Sequence, residues 1–235
     1  MKKYILNILI FILFTSLSNS QNLDSLYVSR INDTILSKYL NEKRSIEIQL
    51  PRSYEANPDK KYPLMIVLDG DYMFNIVAGS VDYLSYWGDI PENLIVGINQ
   101  KDTRFKDSSV LDNITHTPIT STASFYDFIV NEVIPYFSKN YRISNFRVIL
   151  GQERTANFAN FFLLKKNPVF QAVISISPKM SKNMNSYLSE NLSKTNSKII
   201  YTLSSSKKDF ESIYKNVSEL KNSLDSINNK NLKFE

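Results

Sequence analysis

The segment with most bearing on chemistry is Gly151-Gln152-Glu153-Arg154-Thr155. An apolar run from Phe146 reaches Leu150, a single glycine turns the chain, and a helix-compatible stretch with Phe158, Phe161, Phe162 and Leu164 follows. A strand, a tight turn and a helix in that order hold the central residue of the turn on a sharp corner, where its side chain projects from the sheet. A serine there would serve acyl transfer, with a base in hydrogen-bond reach and N–H donors for the oxyanion. The residue present is Glu153. A carboxylate can attack an ester, but the product is a high-energy anhydride and its charge opposes the oxyanion.

Few other residues could take over that role. His116 is the only histidine, and it lies in a long polar connection before the turn. A substitute base is one reading of it; a solvated loop histidine is the plainer one. Asp69, Asp71 and Asp107 could bind a divalent cation if their loops converge, whereas Asp69 and Asp71 could equally cap a turn. Arg104 and Asp107 are expected to pair and hold their loop, and Glu153 to pair with Arg154 or Arg104 or to face water, because a buried unpaired carboxylate is costly. No zinc motif or phosphate loop is present, and with no cysteine there is neither a disulfide nor a Cys-ligated metal. We therefore expect no cofactor and no metal.

The elements that must position these residues alternate. Ser45–Leu50 alternates apolar and polar and stops at Pro51, as a half-exposed antiparallel strand does. Tyr62–Leu68, Asn93–Ile98, Ala172–Ile176 and Lys198–Leu203 are apolar runs suited to strands covered on both faces. Between them, Phe74–Trp87, Ser121–Phe137, residues 181–192 and Phe210–Ile227 read as helices, with Pro135 kinking or ending the second. Tyr72, Tyr83, Tyr86 and Trp87 are read as core or rim packing before recognition. Residues 22–42 are a loose lead-in or an irregular first strand. The pattern predicts one doubly wound, mostly parallel α/β domain over residues 45–235, preceded by a lead-in over 21–44 and cut short at its last strand, Asn231–Glu235.

Met1-Lys2-Lys3, the apolar Tyr4–Phe14 and the small residues up to Ser20 form the three regions of a secretory signal peptide, residues 1–20. The apolar run is shorter than the roughly 17–25 residues of a spanning helix. Cleavage before Gln21 would leave no membrane span and place the protein outside the cell or in the periplasm. Removing Lys2 and Lys3 lowers the formal net charge from +5 to +3. The remaining Lys and Arg residues are scattered, so no nucleic-acid partner is expected; the partner is a small molecule or a protein that the sequence does not identify.

Several local patterns together resemble the putative esterase family of α/β-hydrolases, which includes ferric-enterobactin esterases, S-formylglutathione hydrolases and feruloyl esterases. They are Val67-Leu-Asp-Gly70, Asn93 to Ile98, the helix with Phe128, Glu132, Pro135 and Tyr141, and Gly151 to Asn157 followed by Asn167-Pro-x-Phe170 and Ser175-x-Ser-Pro178. The resemblance implies an α/β-hydrolase fold. It places the family's serine at Glu153 and the elbow's second glycine at Thr155. The oxyanion N–H groups fall at Gly70, Asp71 and Arg154, and the triad acid at Asp209, with Glu211 second. The family's histidine falls beyond Glu235. On this reading the chain is expected to be a secreted non-catalytic pseudo-hydrolase, a binding or structural module and not an enzyme. The alternatives are a carboxylic-ester hydrolase of the family, or a fragment of a longer esterase-like protein.

Overall fold

A computed structural model describes residues 28–235; the expected signal peptide lies outside them. Eight strands form one sheet: β1 (Arg30–Ser37), β2 (Glu42–Gln49), β3 (Tyr62–Val67), β4 (Leu94–Ile98), β5 (Ile143–Gln152), β6 (Ala172–Ile176), β7 (Ile199–Ser204) and β8 (Leu232–Phe234). Their order is β1-β2-β4-β3-β5-β6-β7-β8. β1 and β2 pair antiparallel, as do β2 and β4, and every pairing from β4 through β3 to β8 is parallel. The α/β-hydrolase architecture follows from the alternation of strand and helix. Part of the expected lead-in is ordinary sheet, with β1 running alongside all of β2.

Period-two alternation sorts the side chains of the central strands into two cores. Leu64, Ile66 and Leu68 point into the larger, with Phe125, Phe128, Phe158 and Phe162. Met65 and Val67 point into the smaller, against Met73, Phe74, Val77 and Val81 of α1 (Gly70–Tyr86). The buried positions of α1 recur at three- and four-residue steps, so one stripe of this helix covers the sheet. Its C-terminal aromatics do not: Tyr83, Tyr86 and Trp87 are exposed. Core packing is therefore the wrong reading for those three residues.

After β4 the connection is more structured than its polar sequence suggests. It holds the short helix α2 (Arg104–Ser108) and an isolated bridge between Leu111 and Pro118. Arg44 and Asp107 anchor it, each at most 3 % exposed. The Arg44 guanidinium donates to both Asp107 oxygens, at 2.5 and 3.2 Å, and to Glu42 at 2.5 Å, and it lies over the Phe125 ring. Thr103 and Gln100 also donate to Asp107. The expected Arg104–Asp107 pair is thus corrected. Asp107 faces inward to β2, while Arg104, three residues earlier on the same short helix, is left for the other side.

The helical stretch from residue 120 to residue 140 is not ended by Pro135. It comprises α3 (Thr120–Phe128), one π turn (Ile129–Val133) and α4 (Ile134–Asn140). The Ile134 N–H donates to the Ile129 carbonyl, five residues back. Wider turns of this kind accommodate a proline that has no N–H to give. The remaining helices of the described residues are α5 (Arg154–Asn160), continued by a 3₁₀ turn (Phe161–Leu164), α6 (Met184–Lys194) and α7 (Glu211–Asp225).

Replacing Arg44 by Met should strand the Asp107 carboxylate in the interior. Breaking one side of a buried pair costs roughly 3–5 kcal/mol. An unfolding free energy from urea titration lowered by that amount is expected for Arg44→Met, with part of the loss recovered in the Arg44→Met/Asp107→Leu double variant.

Candidate active site

Glu153 sits between β5 and α5 with φ 55° and ψ −105°. A left-handed conformation at a non-glycine residue costs on the order of 1–3 kcal/mol and persists only where its surroundings impose it. The surroundings here are explicit. The Glu153 N–H donates to the Ile176 carbonyl at 2.9 Å, and the Glu153 carbonyl accepts from Asn157 at 3.1 Å and Lys179 at 2.9 Å. Gly151 is required because a Cβ there would stand 2.5 Å from the Thr155 carbonyl group, so the first turn of α5 rests directly on β5.

At the expected second glycine of the elbow, Thr155 is fully buried. Its hydroxyl donates to Asp69 Oδ2 at 2.7 Å and accepts from the Gln152 N–H at 3.0 Å, joining the end of β3 to the end of β5. Asp69 is itself 1 % exposed, with φ 55°. It does not cap its helix through its side chain. Its carboxylate also accepts from Arg104 Nε at 2.8 Å and from the Tyr72 hydroxyl at 3.1 Å. Asp71 accepts from the Gln100 N–H at 3.0 Å.

Arg104 then crosses the mouth of the elbow. Nη1 donates to Glu153 Oε2 at 2.9 Å and Nη2 to the Gln152 carbonyl at 3.0 Å. Burial alone would lower the pKa of this guanidinium, but the hydrogen bond and charge of Asp69 and the bond to Glu153 hold it above its ordinary value, so it is a permanent cation. Burial, with the negative charge of Asp69, pushes the Tyr72 hydroxyl up to about 12, which keeps it a neutral donor.

These groups border a cleft of about 460 Å³ at the C-terminal ends of the parallel strands, lined by Tyr72, Arg104, Glu153, Ser177, Asp209 and Phe210 among others. Ligands of open α/β sheets bind at that end. Ser177 follows β6 and has φ 45°. Its hydroxyl donates to Asp209 Oδ2 at 2.7 Å, and the same oxygen accepts from the Ser206 N–H at 2.8 Å. Phe210 is 79 % exposed at the rim.

Of the residues singled out from sequence, Glu153 and Asp209 meet in this cleft, and Gly70, Asp71 and Arg154 open helices α1 and α5 beside it. Glu211 begins α7 and is not among the residues lining the cleft. Nor is His116; it has φ 56° and closes a turn through its N–H to the Asp112 carbonyl at 3.0 Å. The proposed cation ligands are otherwise engaged, Asp69 by Arg104 and Asp107 by Arg44. No group of three or more His, Cys, Asp or Glu side chains placed to hold a metal occurs among the described residues. Tyr72 and Ser177 escaped the sequence reading of the site, although Ser177, a serine ending a buried strand before Pro178, carried a recognisable signal.

The family model described as "Putative esterase" matches residues 37–229. No curated protein matches the chain significantly by sequence. Among solved structures, an uncharacterised protein from Capnocytophaga ochracea is similar at 23 % identity and a TM-score of 0.78, over 88 % of this chain and 57 % of its own. The chain thus spans little more than half the length of that protein. The BES protein from Bacillus cereus matches at 22 % identity and a TM-score of 0.74, with 88 % and 85 % covered. An IroE-like serine hydrolase from Shewanella oneidensis matches at 23 % identity and 0.71, with 88 % and 72 % covered. The family match and the likeness to hydrolase structures overturn the expectation that the chain is not an enzyme. That expectation took a glutamate at the serine position and a histidine position beyond Glu235 as the loss of all chemistry, whereas the cleft brings two carboxylates, a serine hydroxyl and an arginine together. Among the described residues no helix is long and apolar enough to cross a membrane.

Thr155→Val should leave the buried Asp69 carboxylate and the Gln152 N–H each short of a partner. An unsatisfied buried polar group costs about 1–3 kcal/mol, and a lowered melting temperature without loss of the folded circular-dichroism signal is the expected result.

Proposed function

The chain belongs to the "Putative esterase" family, and from that premise we propose that it is a carboxylic-ester hydrolase acting at the cleft around Glu153. The observation that carries the proposal is the conformation of Glu153. A strained left-handed backbone, held by hydrogen bonds on both sides, puts a carboxylate where this fold presents its reacting side chain. Such strain clusters at working sites, and at Glu153 it is held by three backbone hydrogen bonds that reach α5 and the segment after β6.

A carboxylate in that position is better suited to taking a proton than to attacking carbon. Glu153 accepts a proton from water as the water oxygen adds to the ester carbonyl, and that proton later goes to a departing oxygen. The net change is one ester and one water to one acid and one alcohol. Negative charge on the carbonyl oxygen is offset by the Arg104 cation and by the first-turn N–H groups of Arg154, Gly70 and Asp71, which helix N-termini dispose toward anions. Arg104 has a second duty, since it fixes the Glu153 carboxylate through Oε2 at 2.9 Å, while Oε1 lies 4.0 Å from Arg154 Nε, the second of the two expected partners.

Residues 1–20 support export, so the working location is outside the cell or in the periplasm. Protein recovered from there is expected to have the intact mass of a chain beginning at Gln21.

Hydrolysis of a short-chain p-nitrophenyl ester by the purified protein tests the activity. Glu153→Gln keeps the shape and an oxygen for Arg104 but cannot take a proton, so kcat should fall about 10²–10⁴-fold, the range for loss of a general base. Activity unchanged by this substitution would remove Glu153 from the reaction.

A further inference from the structure

Ser177 is unexplained by packing. It is the last residue before Pro178, a position confined by sterics to extended backbone, yet it has φ 45°. Its N–H donates to the Ser204 carbonyl at 2.7 Å, and the chain is tied to the Glu153 backbone on either side of it, by the Ile176 carbonyl just before it and by the Lys179 N–H two residues after it. The strained residue is thereby held against the reacting corner, with its hydroxyl in the same cleft as the Glu153 carboxylate. That hydroxyl is hydrogen-bonded to Asp209 Oδ2 at 2.7 Å, and Asp209 is in turn oriented by the Ser206 N–H at 2.8 Å. Nucleophile, base in contact with it, and a third group orienting the base are the parts of an activated serine.

We infer that Ser177 is a displaced nucleophile and Asp209 its base, so that the ester's acyl group is carried on Ser177 Oγ before water removes it. The inference rests on the hydrolase reading of the cleft. In the first half, Oγ bonds to the acyl carbon while Asp209 takes the hydroxyl proton. The carbonyl electron pair moves to oxygen, and its charge is opposed by Arg104 and by Lys208, which also lines the cleft and has no ion-pair partner among the described residues. The oxyanion collapses, the C–O bond to the alcohol breaks, and the alcohol leaves with the proton from Asp209. In the second half, water gives a proton to Glu153 as its oxygen bonds to the acyl carbon. The bond to Oγ breaks, and Oγ recovers its proton from Glu153. Both carboxylates and the hydroxyl end as they began.

Two variants and one mass measurement test this with p-nitrophenyl acetate. Ser177→Gly removes the hydroxyl at a position whose positive φ suits glycine, so folding is preserved and the melting temperature should not fall. Its turnover should drop about 10²-fold or more. Glu153→Gln should release one equivalent of nitrophenolate and then stall, with a single acetyl group located on Ser177 by peptide mass mapping. Turnover kept within twofold in Ser177→Gly, with no acetylated Ser177 in Glu153→Gln, overturns the inference and leaves the hydrolase reading standing, with water attacking directly. An acetylated Ser177 in a wild-type protein that does not turn over supports the inference and overturns the hydrolase reading. Neither turnover nor acetylation overturns both.

Discussion

A carboxylate at the end of a central parallel strand, 1 % exposed, is the constraint on which the cleft depends. Removed from water and unpaired, it would cost far more than a domain can spare. Asp69 is satisfied from three directions, by Arg104 from the connection after β4, by Thr155 from the elbow and by Tyr72 from α1. Each donor belongs to a different segment, so satisfying one charge locks three segments into one relative position. The placement of Glu153 is downstream of this, because the guanidinium that neutralises Asp69 is the one that holds Glu153.

A second buried pair sets the first. Arg104 reaches Asp69 only because α2, a helix of five residues too short to be stable alone, is nailed to β2 by Arg44 and Asp107. Two arginines and two aspartates thus form a relay of position from the antiparallel edge of the sheet to its centre. Pairs of this type add little net stability compared with apolar packing, and their value lies in selecting one arrangement. The cleft needs that selection, since its reacting groups come from loops after four different strands.

The scaffold was legible in the sequence because periodicity and length suffice for it. Tyr62–Leu68, Asn93–Ile98 and Ala172–Ile176 are runs that only a strand covered on both faces can use, and the elbow was visible from one glycine between a strand and a helix. Partner choice among charges was not legible. Arg104 and Asp107 are one helical turn apart in sequence and look like a pair, yet α2 lies between two layers and presents them to opposite sides. Thr155 illustrates the same limit: read as a lost glycine, it is a residue whose hydroxyl replaces the space it takes with two hydrogen bonds. Ser177 stayed hidden because its neighbour Asp209 is 32 residues away, and only the parallel pairing of β6 with β7 brings the two strand ends together.

The π turn between α3 and α4 carries one residue more than an ordinary helical turn. That surplus and Pro135 are coupled. In a regular helix the proline ring would press on the carbonyl four residues earlier, that of Asn131, and the wider turn relieves the contact while keeping Ile129, Val133, Ile134 and Phe137 on the core face. The length of this segment is therefore not free to vary by one. A single-residue deletion between 129 and 133 would be tolerated only together with replacement of the proline, and the two changes form a compensating pair although neither touches the cleft.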